Sequence, residues 1–151
     1  MSKRIVLQYS SHDVTILART IDGEAEGESL EAKIAVGWAI RNRAEIDLWG
    51  DNRPDWWGEG IAGVCLKSGQ FDCWSDANRV RLLAATPDKP GYRDCLVAAA
   101  LVLGEDTPDP TFGSTHYYNP SIVPEPKWAR GKTAVVKKDQ QLFFNDIEPG
   151  A

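Results

Sequence analysis

Apolar residues at Val14, Leu17, Ala18 and Ile21 recur at helical intervals behind a polar cluster of Ser10, Ser11 and Asp13, which predicts a capped amphipathic helix. It is expected to stop near Gly23. Ser29 then caps a second predicted helix reaching about Ala44, with Leu30, Ile34, Val36, Trp38, Ala39 and Ile40 on more than one face. A helix apolar on several faces belongs at the centre of a domain. From Asp47 to Gly63 the pattern dissolves into a loop carrying Trp49, Trp56 and Trp57, before a short apolar run at Ile61–Leu66. A polar helix with Val80, Leu82, Leu83 and Ala84 ends before Pro87, and a strongly apolar one runs from Tyr92 to Leu103, closed by Gly104. Beyond Pro108 the chain is Pro-rich. Runs at Thr133–Lys137 and Gln141–Asn145 then read as the two strands of a hairpin. The expected fold class is α+β, a helical body with a small antiparallel β-sheet, and residues 1–151 are read as one domain.

Composition narrows the class. With 151 residues, 42% hydrophobic and 26% charged, the chain can bury one core, so disorder, collagen and coiled coil are excluded. A formal charge of -5 argues against holding nucleic acid or an anionic membrane by bulk electrostatics. No apolar stretch is long enough for a membrane span. The run Ile5-Val6-Leu7 behind Lys3 and Arg4 is too short for a signal peptide, so the expected product stays in the cytoplasm until released. Six Trp exceed what a small core needs and point to a ring-lined groove. Three Cys cannot all pair; reduced thiols are expected, and Cys65 with Cys73 is the one locally plausible bridge.

The most unusual segment is Asp22-Gly23-Glu24-Ala25-Glu26-Gly27-Glu28, with acids at alternate positions. It fits a solvated turn before a helix start, where the dipole favours carboxylates. A calcium loop fits Asp22, Glu24, Glu26 and Gly27 but fails at Lys33, where a bidentate Glu is required. The catalytic reading needs one acid held in a cleft with its pKa raised, so that it stays protonated near neutral pH. Glu24, between Gly23 and Ala25, is the central candidate, because small neighbours let a polymer approach.

Read together, the blocks Leu17 to Glu28, Ala35 to Arg43, Ser68 to Trp74, Asp109 to Pro120, Pro126 to Ala129 and Phe143-Phe144 resemble the SleB-type cell-wall hydrolases, the spore-cortex lytic family and its phage relatives. The resemblance implies cleavage of peptidoglycan glycan strands between N-acetylmuramic acid and N-acetylglucosamine, with Glu24 as catalytic acid in a distantly lysozyme-like fold. It also implies a lytic transglycosylase mechanism and an endolysin-like role in host lysis. Hydrolysis by water would require a second carboxylate. Asp72 is the candidate for it, with a turn or cap acid as the plainer reading. Glu26 and Glu28 are candidates for tuning Glu24 or holding Arg19. Gln70, Phe71, Trp74, Tyr117, Tyr118, Asn119 and Trp128 are candidates to bind sugar faces, hydroxyls and N-acetyl groups. His116 joins them, although a lone histidine is more often structural.

No cofactor or metal is expected: two His without H-E-x-x-H make a zinc site hard to assemble. The competing classes are a Cys/His endopeptidase using Cys95 and His116, for which burial of Cys95 is the better reading, and a silent glycan-binding module.

Overall fold

The computed structural model describes residues 3–4, 9–47, 56–104 and 106–148. Helix α1 (Ser11–Ala25) starts at a capping box: Ser10 Oγ accepts from the Asp13 amide, and Asp13 Oδ2 accepts from the Ser10 amide at 2.9 Å. Helix α2 (Leu30–Ala44) is capped by Ser29, whose hydroxyl accepts from the Ala32 amide. Helix α5 (Tyr92–Leu103) packs on both, burying Leu17, Ile21, Val36, Ile40, Val102 and Leu103. Helices α3 (Gly60–Leu66) and α4 (Asp76–Leu83) flank this core. No described helix is long and apolar enough to cross a membrane.

Helix α1 stops near Gly23, as expected, but Gly23 itself is not the stop signal. A Cβ at Gly23 would lie 2.3 Å from Cys73 Cβ, so the glycine is there for close approach rather than for a turn. The helix runs on to Ala25, and the left-handed break falls at Gly27 (φ 83°). Glu24 therefore sits within the last helical turn.

Strands β1 (Lys3–Arg4) and β2 (Ile46–Asp47) form a short antiparallel pair. The predicted hairpin is present as β4 (Val136–Lys138) and β5 (Gln141–Phe144). A third strand, β3 (His116–Tyr118), was not predicted, because three residues are too few to show an alternation. The order is β3-β5-β4, with Tyr117 opposite Phe143 and His116 opposite Phe144. Residues directly opposite share a face. Phe143 is fully buried in the helical core, worth about 1.5–3 kcal/mol of burial. Tyr117 on the same face is thus aimed at the helices. Phe144 fills a second cluster with Ala129 and Ile147 on the other face.

The loop before β3 is fixed by side chains. Asp109 accepts from the Thr111 amide at 2.8 Å and the Gly113 amide at 2.9 Å, holding exposed Phe112 at φ 55°. From the end of α2, Asn42 donates to Asp109 and the Ser114 carbonyl, each at 2.9 Å, and Arg43 Nε donates to the Thr115 carbonyl at 2.6 Å. The Asn42-Arg43 pair so sets the entry into the sheet.

Candidate active site

Glu24, on the last turn of α1, lines a groove of about 490 Å³ shared with Gly27, Glu28, Asn119, Ile122, Asp139 and Gln141. Tyr117 Oη donates to Glu24 Oε1 at 2.6 Å. Its carboxyl is desolvated by the packing around it, and this pushes its pKa above the usual range. Hydrogen bonds from Tyr117 and the Cys73 thiol, and the charge of Arg43, pull the other way; the nearby Asp72 carboxylate adds to the rise. Desolvation wins. The negative end of the α1 dipole also disfavours the charged form. Tyr117 is itself buried against Glu24 and pushed well above an ordinary tyrosine, so it remains a hydrogen-bond donor.

Arg43 and Cys73 are the functional neighbours that the sequence analysis did not assign. Arg43 lies over the rings of Trp57 (5.7 Å) and Phe71 (5.4 Å) within electrostatic reach of Glu24 and Tyr117. A signal was present, since a run of Arg41, Asn42 and Arg43 ends an otherwise buried helix. Cys73 packs on Gly23, and burial together with Glu24 keeps its thiol protonated. All three cysteines are free, so Cys65 and Cys73 do not pair.

The other predicted residues divide between groove and core. Asp72 is exposed and, with Phe71 and Trp74, lines a second depression of about 320 Å³ that also includes Leu66 and Gly69. Trp74 is half-buried and donates its indole N–H to Thr20 at 2.9 Å, while Phe71 is buried beneath Arg43. Gln70 spends its amide nitrogen on the carbonyls of Trp57 and Val64, bracing a loop from within. Asn119 lines the Glu24 groove, its oxygen accepting from Ser121. His116 is buried between Trp57 (5.5 Å) and Trp128 (4.9 Å), and burial pushes its pKa down to about 3, so the ring is neutral. Tyr118 stacks on Phe144 and meets Trp128 edge-on, which places both in the second cluster. Trp49 lies outside the described residues.

The acidic segment is sorted by helix face. Asp22 is buried and ion-paired with Lys89 at 2.6 Å, and Glu26 meets Arg81 at 3.0 Å and Lys89 at 3.4 Å. Glu28 accepts from Gln141 Nε2 at 3.1 Å. Neither Glu26 nor Glu28 holds Arg19, whose guanidinium donates instead to the carbonyls of Leu82 and Ala85. Cys95 is buried with its thiol on the Gly91 carbonyl and its pKa pushed up to about 12 by burial. It is not paired with His116, so the pair that an endopeptidase would need is not assembled. Among the described residues no group of His, Cys, Asp and Glu could hold a metal ion.

Because Tyr117 donates to Glu24, it stabilises the carboxylate form. Tyr117→Phe is expected to raise the Glu24 pKa further. The alkaline limb of the pH–activity profile then moves to higher pH; an unmoved limb would detach Tyr117 from the acid.

This groove belongs to a chain similar to known cell-wall enzymes. A family model described as Cell Wall Hydrolase matches residues 27–144, beginning just beyond Glu24. The chain is 26% identical over 137 residues to the spore cortex-lytic enzyme of Halalkalibacterium halodurans, covering 91% of this chain and 36% of that protein. Against the spore cortex-lytic enzyme of Bacillus subtilis it is 24% identical over 135 residues, covering 89% and 38%. The chain thus spans little more than a third of these relatives' length. In fold it is similar to the catalytic domain of Bacillus cereus SleB, with a TM-score of 0.64 at 23% identity, covering 93% of this chain and 94% of that one. The catalytic domain of the germination-specific lytic transglycosylase SleB from Bacillus anthracis matches with a TM-score of 0.63 at 23% identity, covering 93% and 99%. The chain belongs to the SleB-type cell-wall hydrolases, a family of enzymes.

Proposed function

We propose that the protein cleaves peptidoglycan glycan strands between N-acetylmuramic acid and N-acetylglucosamine as a lytic transglycosylase with Glu24 as its acid and base. The observation that carries this reading is a desolvated glutamate with a raised pKa, held by a neutral tyrosine donor in an open groove. Such a carboxyl holds its proton to higher pH than an ordinary glutamate and can give it to the glycosidic oxygen. As the C1–O bond breaks, positive charge develops at C1 of the muramyl ring and Glu24 becomes a carboxylate. The Tyr117 hydroxyl and the Arg43 charge stabilise that anion. Glu24 then takes the proton of the muramyl 6-hydroxyl, O6 attacks C1, and a 1,6-anhydro sugar forms without water.

A second reading, hydrolysis, is favoured by Asp72, whose carboxylate is close enough to raise the Glu24 pKa. A paired carboxylate is what activation of a water, or a covalent intermediate, would need. Mass spectrometry of muropeptides released from sacculi separates the two. Anhydro-muropeptides are expected; reducing-end products would replace the transglycosylase by a hydrolase, and cleaved stem peptides would overturn both. An endolysin-like role adds that cells expressing the protein lyse only once a separately triggered membrane pore opens.

A further inference from the structure

We propose that Glu28 carries a proton in the folded protein and closes a two-hydrogen-bond ring with the Gln141 carboxamide, latching the loop after the catalytic helix to strand β5. Gln141 Nε2 donates to Glu28 Oε2 at 3.1 Å, which fixes the orientation of the amide. That leaves one oxygen on each group. Glu28 Oε1 and Gln141 Oε1 are both buried and without a hydrogen-bond partner, and they are acceptors of one and the same carboxyl–amide pair. Two unpartnered acceptors of one pair, both shut away from water, are costly unless one of them brings a hydrogen. A carboxylic acid does so: its O–H donates to the amide oxygen while its other oxygen accepts from the amide N–H. One proton satisfies both orphaned atoms.

The surrounding charges are mixed. Burial comes first in raising the Glu28 pKa, and Asp139 in the β4–β5 turn adds to it; Lys33 on α2 and the N–H donated by Gln141 act against it. The N-terminus of α2, which begins two residues on, also favours a carboxylate. Asp139 is tied to that terminus, accepting from the Ser29 amide at 2.7 Å and its hydroxyl at 3.0 Å. Glu28, Asp139 and Gln141 all line the Glu24 groove, so the latch fixes one of its walls. Glu28 is a positioning residue in this scheme. Its consequence for catalysis rests on Glu24 being the acid, whereas the latch does not.

The sign follows from the raised pKa. The latch contributes fully below the unfolded value of a glutamate, about 4.3, and is lost as pH rises through the folded value. Glu28→Gln keeps the ring as an amide–amide pair with no proton to lose. To remove the neighbouring titration, thermal unfolding is measured from pH 4 to pH 9 in Glu24→Gln and in Glu24→Gln/Glu28→Gln, which needs no activity. The first is expected to lose about 2–4 °C more than the second as pH rises. The Glu28 carboxyl carbon should titrate above the ordinary glutamate range by NMR. Glu28→Ala should lower the melting temperature already at pH 5, where Glu28→Gln does not. Parallel pH curves, or a Glu28 that titrates at an ordinary value, overturn the latch. Failure of the transglycosylase reading would appear only in the muropeptides.

Discussion

Glu24→Gln is expected to reduce muropeptide release by about 10²–10⁴-fold, the usual contribution of a general acid, while leaving the fold intact. The amide keeps the shape and can still accept from Tyr117, but it has no acidic proton for the glycosidic oxygen. The same change is expected to stabilise the protein on the alkaline side. Because the folded pKa of Glu24 is raised, its contribution to stability is present below the unfolded value and lost as pH rises through the folded one. Glutamine has nothing to lose there. A variant that is inactive yet melts later at alkaline pH would show a carboxyl strained for its chemistry. Wild-type release by Glu24→Gln would remove Glu24 from the mechanism, and retained binding to sacculi without release by the wild type would favour a silent module.

Gly23→Ala is expected to be the most damaging small substitution near the site. Two effects compete, since alanine in a helix interior is favoured over glycine by about 1 kcal/mol. Against that, the new Cβ would sit 2.3 Å from Cys73 Cβ and 2.7 Å from its Sγ. A Cβ cannot swing aside as the end of a long side chain can, so the 3-10 turn Asp72–Trp74 must move as a unit. Overpacking of this kind costs about 1–3 kcal/mol. It should also reduce activity, because Cys73 is one of the donors on Glu24. The check is a double-mutant cycle: Gly23→Ala with Cys73→Gly should recover stability beyond the sum of the single changes, and strict additivity would show that the contact does not limit packing.

These two residues also show how far the sequence reaches. The intervals of Val14, Leu17 and Ile21, and the caps at Ser10 and Ser29, were enough for α1 and α2, because capping and amphipathicity are local. The end of α1 near Gly23 was legible, but the contact with Cys73 was not, since a glycine required by a distant neighbour is identical in sequence to one required by a turn. Glu24 stood out by its setting among acids, and Tyr117 by its place in a matched block. Arg43 and Cys73 did not, since their roles depend on which segments meet: the end of α2, the turn after Phe71 and strand β3. Gln70, His116 and Trp128 carried the right chemistry for sugars, but each has a more urgent partner inside the fold. Competition for a side chain is settled by tertiary structure and leaves no mark on residue type.

The sheet order has a consequence for the timing of assembly. The central strand, β5, is synthesised after both of its neighbours, and among the described residues neither β3 nor β4 has another strand to pair with. The helical body can begin to pack as soon as α5 has been made. Tyr117, however, sits on a strand whose ladder partner is β5, with Phe143 opposite it on the same face. A nascent chain can therefore carry Glu24 on a formed helix before the strand that pairs with Tyr117 exists, so the Tyr117–Glu24 hydrogen bond is expected to form late, as a property of the finished sheet.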